Sequence, residues 1–361
     1  MQSVHIPEER LSILKKLIET PSPSGFEQQI QSYIRMEIEN YVDNVKKDVL
    51  GNLIGSRNEQ GKPRIMLMAH CDEIGLMISH ISNEGYLYFL PIGLVDDHLL
   101  PGERVVIHSR NGPIWGVIGR KPVLIQTTEE KRNVLPLKQQ WIDIGAESKE
   151  DAETMISIGD PVTFTTDFQK IGNKDVITAR ALDDKLGIFV LIETLRKLSD
   201  RGEHEAAVFG VFTVQEEIGL RGATPVAYQI NAHAAFILDI GFPSDSPDTI
   251  PEKQDLGDIR IGKGPILDKG GNNNPVLYQL LLDIAKAKSI PLQFRATPMP
   301  IANEAKVVQL SRSGVATISV NIPARYSHSP NEVASLRDLE YTSELLTQTI
   351  FGLTPQINFA P

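Results

Sequence analysis

The stretch AAVFGVFTVQEEIGLRGA, residues 206–223, decides how this chain is read. Its first half is an apolar run, the composition of a strand covered on both faces. The run leads directly into Glu216 and Glu217, and the chain then turns through Gly219 and Gly222. Two adjacent carboxylates at the mouth of a buried strand repel each other and are costly to desolvate. Some positive charge has to stand beside them.

Other apolar runs end in the same way. IMLMA (65–69) leads into His70-Cys71-Asp72-Glu73, and VITARAL (176–182) into Asp183-Asp184. AAFIL (234–238) leads into Asp239, and ATISVNIPARY (316–326) into Ser327-His328-Ser329. In α/β sheets, ligands bind outside the carboxyl ends of the strands. Five such ends would deliver two histidines and several carboxylates to one crevice, where one or two divalent metals supply the missing charge. Each piece alone has an ordinary reading: a structural histidine, a helix N-cap at Asp183, a turn at Asp239. The joint pattern is what points to metal. Along a strand, residues 70 and 72 share a face. If His70 is a ligand, Asp72 is placed to orient its imidazole, and Cys71 points into the core as a structural cysteine. His80, His98, His108, His204 and His233 read as having no metal role.

Between these strands the spacing predicts helices at 7–20, 26–42, 184–199, 275–288 and 336–351. Residues 76–171 differ, with short β-rich runs (LMISHI, YLYFLPI, RVVIHS, PIWGVIG, WIDIGA, PVTF) separated by Gly, Pro and Asn. The expected fold is α/β: a mixed central sheet covered by helices, formed by residues 1–75 plus 172–361, with 76–171 inserted as a small β-barrel.

Bulk properties narrow the function. A formal net charge of -10 argues against a nucleic-acid backbone or an anionic membrane as the main partner. The single cysteine, Cys71, excludes an intrachain disulfide. No apolar run approaches the ~20 residues that span a bilayer. The first residues, MQSVHIPEERL, lack the basic and apolar regions of a signal peptide. A soluble cytoplasmic protein is expected.

The ordered segments resemble one family, the M42 metallo-aminopeptidases, which include the tetrahedral (TET) and glutamyl aminopeptidases. PSPSG (21–25), DVLGNLIG (48–55), AHCDEIG (69–75), LLPGERV (99–105), ARALDDKLG (179–187), VQEEIGLRGA (214–223), LDIG (238–241) and RYSHSPNEV (325–333) stand in the family's order. The resemblance implies that Asp183 bridges two metals, with His70 and Asp239 completing one site and Glu217 and His328 the other. It implies Glu216 as general base, Asp72 as the partner of His70, and a cis peptide between Asp183 and Asp184. The metals expected are zinc or cobalt, with manganese a third choice. Substrates would be short peptides with a free N-terminus, and the barrel would pair subunits into dimers that build a homododecamer. One stretch departs from the pattern: where many members carry Gly-Thr-Asp-Ala, this chain has Ala302-Asn303-Glu304-Ala305. That leaves substrate preference open, and a metal-dependent deacylase of N-acyl amino acids stands as an alternative. A glycoside hydrolase of endoglucanase type would also use paired carboxylates, but it has no need of His70 and His328.

Overall fold

The computed structural model describes residues 6–172 and 175–361, so the reading of the first five residues lies outside it. An eleven-stranded mixed sheet forms the centre. Its middle is four parallel strands in the order Ala207–Thr213, Arg64–His70, Ala234–Gly241 and Ala316–Arg325. Leu53–Arg57 and Asn44–Lys47 extend one side in antiparallel fashion. Glu332–Ser335, Val176–Ala179 and Gln169–Ile171 extend the other.

The period of two along each strand divides the apolar residues between two cores. Ile65, Leu67, Ala69 and Cys71 face one core, together with Val208, Phe212, Phe236 and Leu238. Helices Glu8–Glu19, Gln28–Ile38, Leu182–Arg201, Pro275–Lys288 and Leu336–Gly352 cover that face. Met66, Met68, Phe209, Val211 and Ile237 face the other, under helices Ala223–Ile230 and Ala305–Val308. The same alternation sends Cys71 into the first core, where it is fully buried.

Leu182–Arg201 is buried along most of its length because it lies between the sheet and the helices outside it. Two of its buried charged residues are paired along this stretch: Glu193 with Arg10, and Lys197 with Glu340 at 2.7 Å and Ser343 at 2.9 Å. The helix Pro275–Lys288 starts as its sequence dictates. Asn274 accepts from the backbone N–H groups of Val276 and Leu277, and Pro275 takes the position that needs no N–H.

Six further strands close into a barrel in the order Gly75–Ile81, Leu87–Ile92, Ile142–Asp143, Gly112–Ile118, Arg104–Ser109 and Pro161–Phe164. Closure removes the sheet edges. The interior is apolar, built from residues such as Leu76, Ile78, Phe89, Ile107 and Val162. Several large apolar residues instead point outward: Trp115 is 62% exposed and Leu90 61%.

Several short elements escape the sequence reading. Helix Ala223–Ile230 contains Pro225, which looks like a breaker but sits in the first turn where it is tolerated. Strands Ile266–Lys269 and Gln293–Ala296 are four residues each and half polar, too short for periodicity to register.

Candidate active site

The strand register sets the first two positions. Thr213 lies opposite His70, so the QEE segment begins two residues beyond the histidine's neighbour. Met68 lies opposite Ile237, a register that brings His70 level with Asp239. Asp239 in turn pairs with Asn321 on the next strand.

Beyond the strand, residues 214–223 do not stay extended. Gln215 and Leu220 take positive φ, and the chain folds back so that Gly222 N–H reaches the Val214 carbonyl at 3.1 Å. A Cβ on Gly222 would lie 2.4 Å from both the Val214 carbonyl and the Asn52 side-chain oxygen, so only glycine fits. Asp72 holds this turn from below. Its carboxylate accepts from the backbone N–H of Glu216 at 3.0 Å, of Glu217 at 3.1 Å, and from the Ser24 hydroxyl at 2.5 Å. An extended segment would send Glu216 and Glu217 to opposite faces; the turn instead brings both carboxylates within 4.8 Å of a His70 ring nitrogen.

Asp183 and His328 do not stand at strand ends. The strand before Asp183 stops at Ala179, and Asp183 opens the long helix after Ala181 in a left-handed conformation. The peptide joining Asp183 to Asp184 is cis. Asp184 is buried and accepts from Gly187 N–H at 3.0 Å; a Cβ at Gly187 would overlap that carboxylate at 2.2 Å. His328 lies three residues past the strand end at Arg325, with φ of 61°. Positive φ at Tyr326 and His328, both non-glycine, is strain held by the surroundings.

Asp183 is the meeting point. One of its carboxylate oxygens is 3.2 Å from His70 Nε2, and the other is 3.4 Å from His328 Nε2. His328 Nε2 is also 3.4 Å from Glu217. Two groups result, His70–Asp183–Asp239 and Asp183–Glu217–His328, each with donor atoms within 4.8 Å of one another. Both imidazoles turn Nδ1 to a backbone carbonyl, His70 to Asp72 at 3.2 Å and His328 to Leu94 at 2.9 Å. Nε2 is then the atom facing the carboxylates, and it needs either a proton or a cation there.

The electrostatics are those of crowded, buried carboxylates. Burial, with Asp239 and Glu217 close by, pushes the Glu216 carboxyl up to about 10 against the pull of His70. Burial and Asp183 push Asp239 up to about 8. Burial pulls His328 down, but its contacts with Asp183 and Glu217 outweigh this and raise it to about 11. Asp183 is lowered: His328 and His70 overcome its burial. The donor set fits divalent metal. Nitrogen and oxygen donors at about 2.0–2.2 Å around a tetrahedral ion stand about 3.3–3.5 Å apart, which is the spacing found here. The buried Asp183 oxygen has no hydrogen-bond partner of its own.

The M42 glutamyl aminopeptidase profile matches residues 51–345. The chain belongs to the M42 glutamyl aminopeptidase family. It is 36% identical over 355 residues to the lysyl aminopeptidase of Pyrococcus furiosus, covering 97% of this chain and 99% of that one. A TET aminopeptidase from a marine sediment thaumarchaeote superposes with a TM-score of 0.90 at 33% identity, covering 96% of this chain and 97% of that chain. The TET1 peptidase of Pyrococcus horikoshii, which can assemble into a tetrahedron or a large octahedral shell, superposes at 0.84 with 34% identity, over 95% of this chain and all of that one. Aminopeptidase activity and dependence on metal come with membership of this M42 family. No helix among the described residues is long and apolar enough to cross a membrane.

Several residues of the site were not singled out by sequence. Glu332 is buried and accepts from the backbone N–H of both Asp183 and His328, each at 3.0 Å. It ties together two segments far apart in the chain. The Leu94 carbonyl reaches His328 from the loop after the barrel strand Leu87–Ile92. Glu73, paired with Arg180, and Lys185, bound to Ser22 and the Cys71 carbonyl, brace the underside. The Asp72-Glu73 and Asp184-Lys185 pairs, each a buried site residue next to a charge, were the available signal for the last two. A chain carbonyl such as that of Leu94 leaves none.

Proposed function

We propose that the protein is a dinuclear metallo-aminopeptidase that removes N-terminal residues from short peptides. The observation that carries this reading is Asp183, whose two oxygens face His70 and His328 separately. On this reading Asp183 would be a ligand to both of two divalent ions, with His70 and Asp239 holding one and Glu217 and His328 the other. Zinc or cobalt suits the nitrogen and oxygen donors, with manganese next. When bound, the pair of ions supplies Lewis acidity and an acidified water for attack on the peptide carbonyl.

Glu216 does the proton work. Its backbone N–H is pinned by Asp72, so the carboxylate is held beside the two ligand groups. There it takes a proton from the attacking water and returns it to the leaving amine. Asp72 acts on both halves of the site, through His70 and through the Glu216–Glu217 turn. His70 and His328 stay neutral when metal is present, with Nδ1–H donated to a backbone carbonyl. Ile240, Phe242 and Ile301 give the cavity beside the cluster an apolar side.

We propose further that the inserted barrel, residues 76–171, is a separate assembly domain that pairs subunits into dimers and a twelve-subunit particle. Its exposed Trp115 and Leu90 support this.

The test is hydrolysis of aminoacyl anilides and free-amine peptides after chelation and with metal restored, beside N-acetylated controls. Chelator-sensitive release of one N-terminal residue, with no cleavage of the blocked forms, is expected. Cleavage only of N-acyl amino acids would replace this reading with deacylation.

A further inference from the structure

The two ligand groups share Asp183 but differ in what holds their other members. Around His70 and Asp239 the support is local: the Asp72 carbonyl takes His70 Nδ1 at 3.2 Å, and the Ile240 N–H donates to Asp239 at 2.6 Å. His328 is held from far away. Its Nδ1 donates to the Leu94 carbonyl at 2.9 Å, across 234 residues of chain. Leu94 lies on the loop that leaves the barrel strand Leu87–Ile92.

The same loop reaches the other ligand of that group. The barrel ladder ends where Ile92 pairs with Gly75, which sets Gly93 beside Ile74, one step further on. Gly93 has a φ of 73°, in the left-handed region. A Cβ there would stand 2.8 Å from Ile74 Cγ2, 3.3 Å from Glu217 Cβ and 3.4 Å from Glu217 Oε2. Conformation and space both call for glycine. The Glu217 side chain, 6% exposed, runs beside the space that a Cβ would take. The loop has little slack, because Val95 packs against the barrel core and Leu100 is buried in it.

We propose that Gly93 and Leu94 are positioning residues for one ion only, the one assigned to Glu217 and His328. The inference rests on the dinuclear reading above. An imidazole offers its Nε2 lone pair to a metal when Nδ1 carries the proton, and a carbonyl acceptor at Nδ1 fixes both tautomer and ring plane. His328 depends on this more than His70 does: its side chain is 29% exposed against 2%, and it stands on positive-φ backbone past the end of its strand. The barrel thus sets one half of the centre, and the sheet alone sets the half with His70 and Asp239.

The test reads zinc per subunit by elemental analysis, after dialysis at a chelator concentration that leaves wild type with both ions. Gly93→Ala should keep one, with affinity at the other position lowered about 10- to 100-fold, the range for outer partners of metal ligands. Both ions kept at wild-type affinity would overturn the inference, and loss of both would overturn its selectivity. Two backgrounds locate the effect. Added to His328→Ala, Gly93→Ala should strip nothing more; added to His70→Ala, it should strip the ion that remains. Equal losses in both backgrounds would overturn the assignment to one half. Leu94→Gly adds no atom that could clash and loosens the backbone that carries the carbonyl, so it should weaken the same position about two- to fivefold. If Gly93→Ala fails to fold, this variant decides, and unchanged affinity in it would overturn the inference. A wild type that takes up fewer than two zinc ions would take down the dinuclear reading itself, and this inference with it.

Discussion

At the carboxyl end of the parallel strands, Asp72, Asp183, Asp184, Glu216 and Glu332 are all buried, and one oxygen each of Asp183 and Asp184 has no hydrogen-bond partner among the described residues. In the barrel the central cluster is apolar throughout, while Trp115, Leu90 and Val117 are turned out to solvent. The first region breaks the rule that buried charge is costly; the second breaks the rule that large apolar groups go inside. On the proposed reading, what answers the first is a pair of cations and what answers the second is another protein surface. The two regions touch where the Leu94 carbonyl meets His328.

The largest effect expected is at the bridge. Asp183→Ala should remove metal from both positions, leaving less than one tenth of the wild-type content by elemental analysis and turnover down about a thousandfold or more. If one metal stays at full occupancy, Asp183 is not shared, and the sheet end loses its central claim. Glu216→Gln comes next. It should keep both metals and lose at least about a hundredfold in kcat, the range of general-base removal. Loss of metal with much of the activity retained would make Glu216 a ligand instead of a base.

Glu332 sharpens the comparison because it is buried charge that binds no cation in this scheme. It acts on the ligands by holding the backbone N–H groups of Asp183 and His328. Glu332→Gln puts an NH₂ where one of these N–H groups now donates. Metal affinity, read by competition with a chromogenic chelator, should fall about 10- to 100-fold, as it does for other outer partners of metal ligands. Unchanged affinity would reduce Glu332 to a packing residue.

What the sequence made legible follows the same division. His70, Glu216 and Asp239 were readable because each follows an apolar run, although only His70 closes its strand: the strand before Glu216 stops at Thr213 and that of Asp239 runs on to Gly241. The barrel was readable from turn residues spaced between short β-rich runs. The turn at 214–223 was not, because its shape depends on Asp72 and Asn52, more than 140 residues away in the chain. For the same reason extended geometry misjudged how Glu216 and Glu217 are aimed. Asp183 and His328 were found as residue types, yet each stands beyond its strand on backbone that only tertiary contacts enforce.

On the barrel side, Trp115→Glu should leave the fold intact, since the side chain is exposed. The particle should fall to a smaller species by light scattering, with anilide turnover per subunit changing less than about threefold, as a surface substitution outside the site allows. An unchanged mass would show that this exposed apolar face is not the one covered.

The smallest effect tests whether a buried carboxylate in the sheet domain has to serve the metals at all. Asp338 lies on the closing helix, outside the ligand groups, and accepts from the N–H of Gly262 at 2.6 Å and of Gly264 at 2.7 Å. Burial nevertheless raises its pKa to about 7, against the pull of those two N–H groups. A folded-state pKa above the ordinary value of about 4 means that the folded protein holds a proton that the unfolded chain has released. Its contribution to stability is therefore fully present below about pH 4 and is lost as pH rises towards 7. Asp338→Asn removes the titration at the fixed cost of one acceptor. The stability advantage of wild type over this variant, from urea unfolding, should shrink by roughly 2–4 kcal/mol between pH 4.5 and 8. An advantage that grows with pH would mean that the two glycine N–H groups hold Asp338 ionised. Buried carboxylate in this domain would then be stabilised by backbone donors alone, and the unpartnered Asp183 oxygen would stand out all the more as the one that needs a cation.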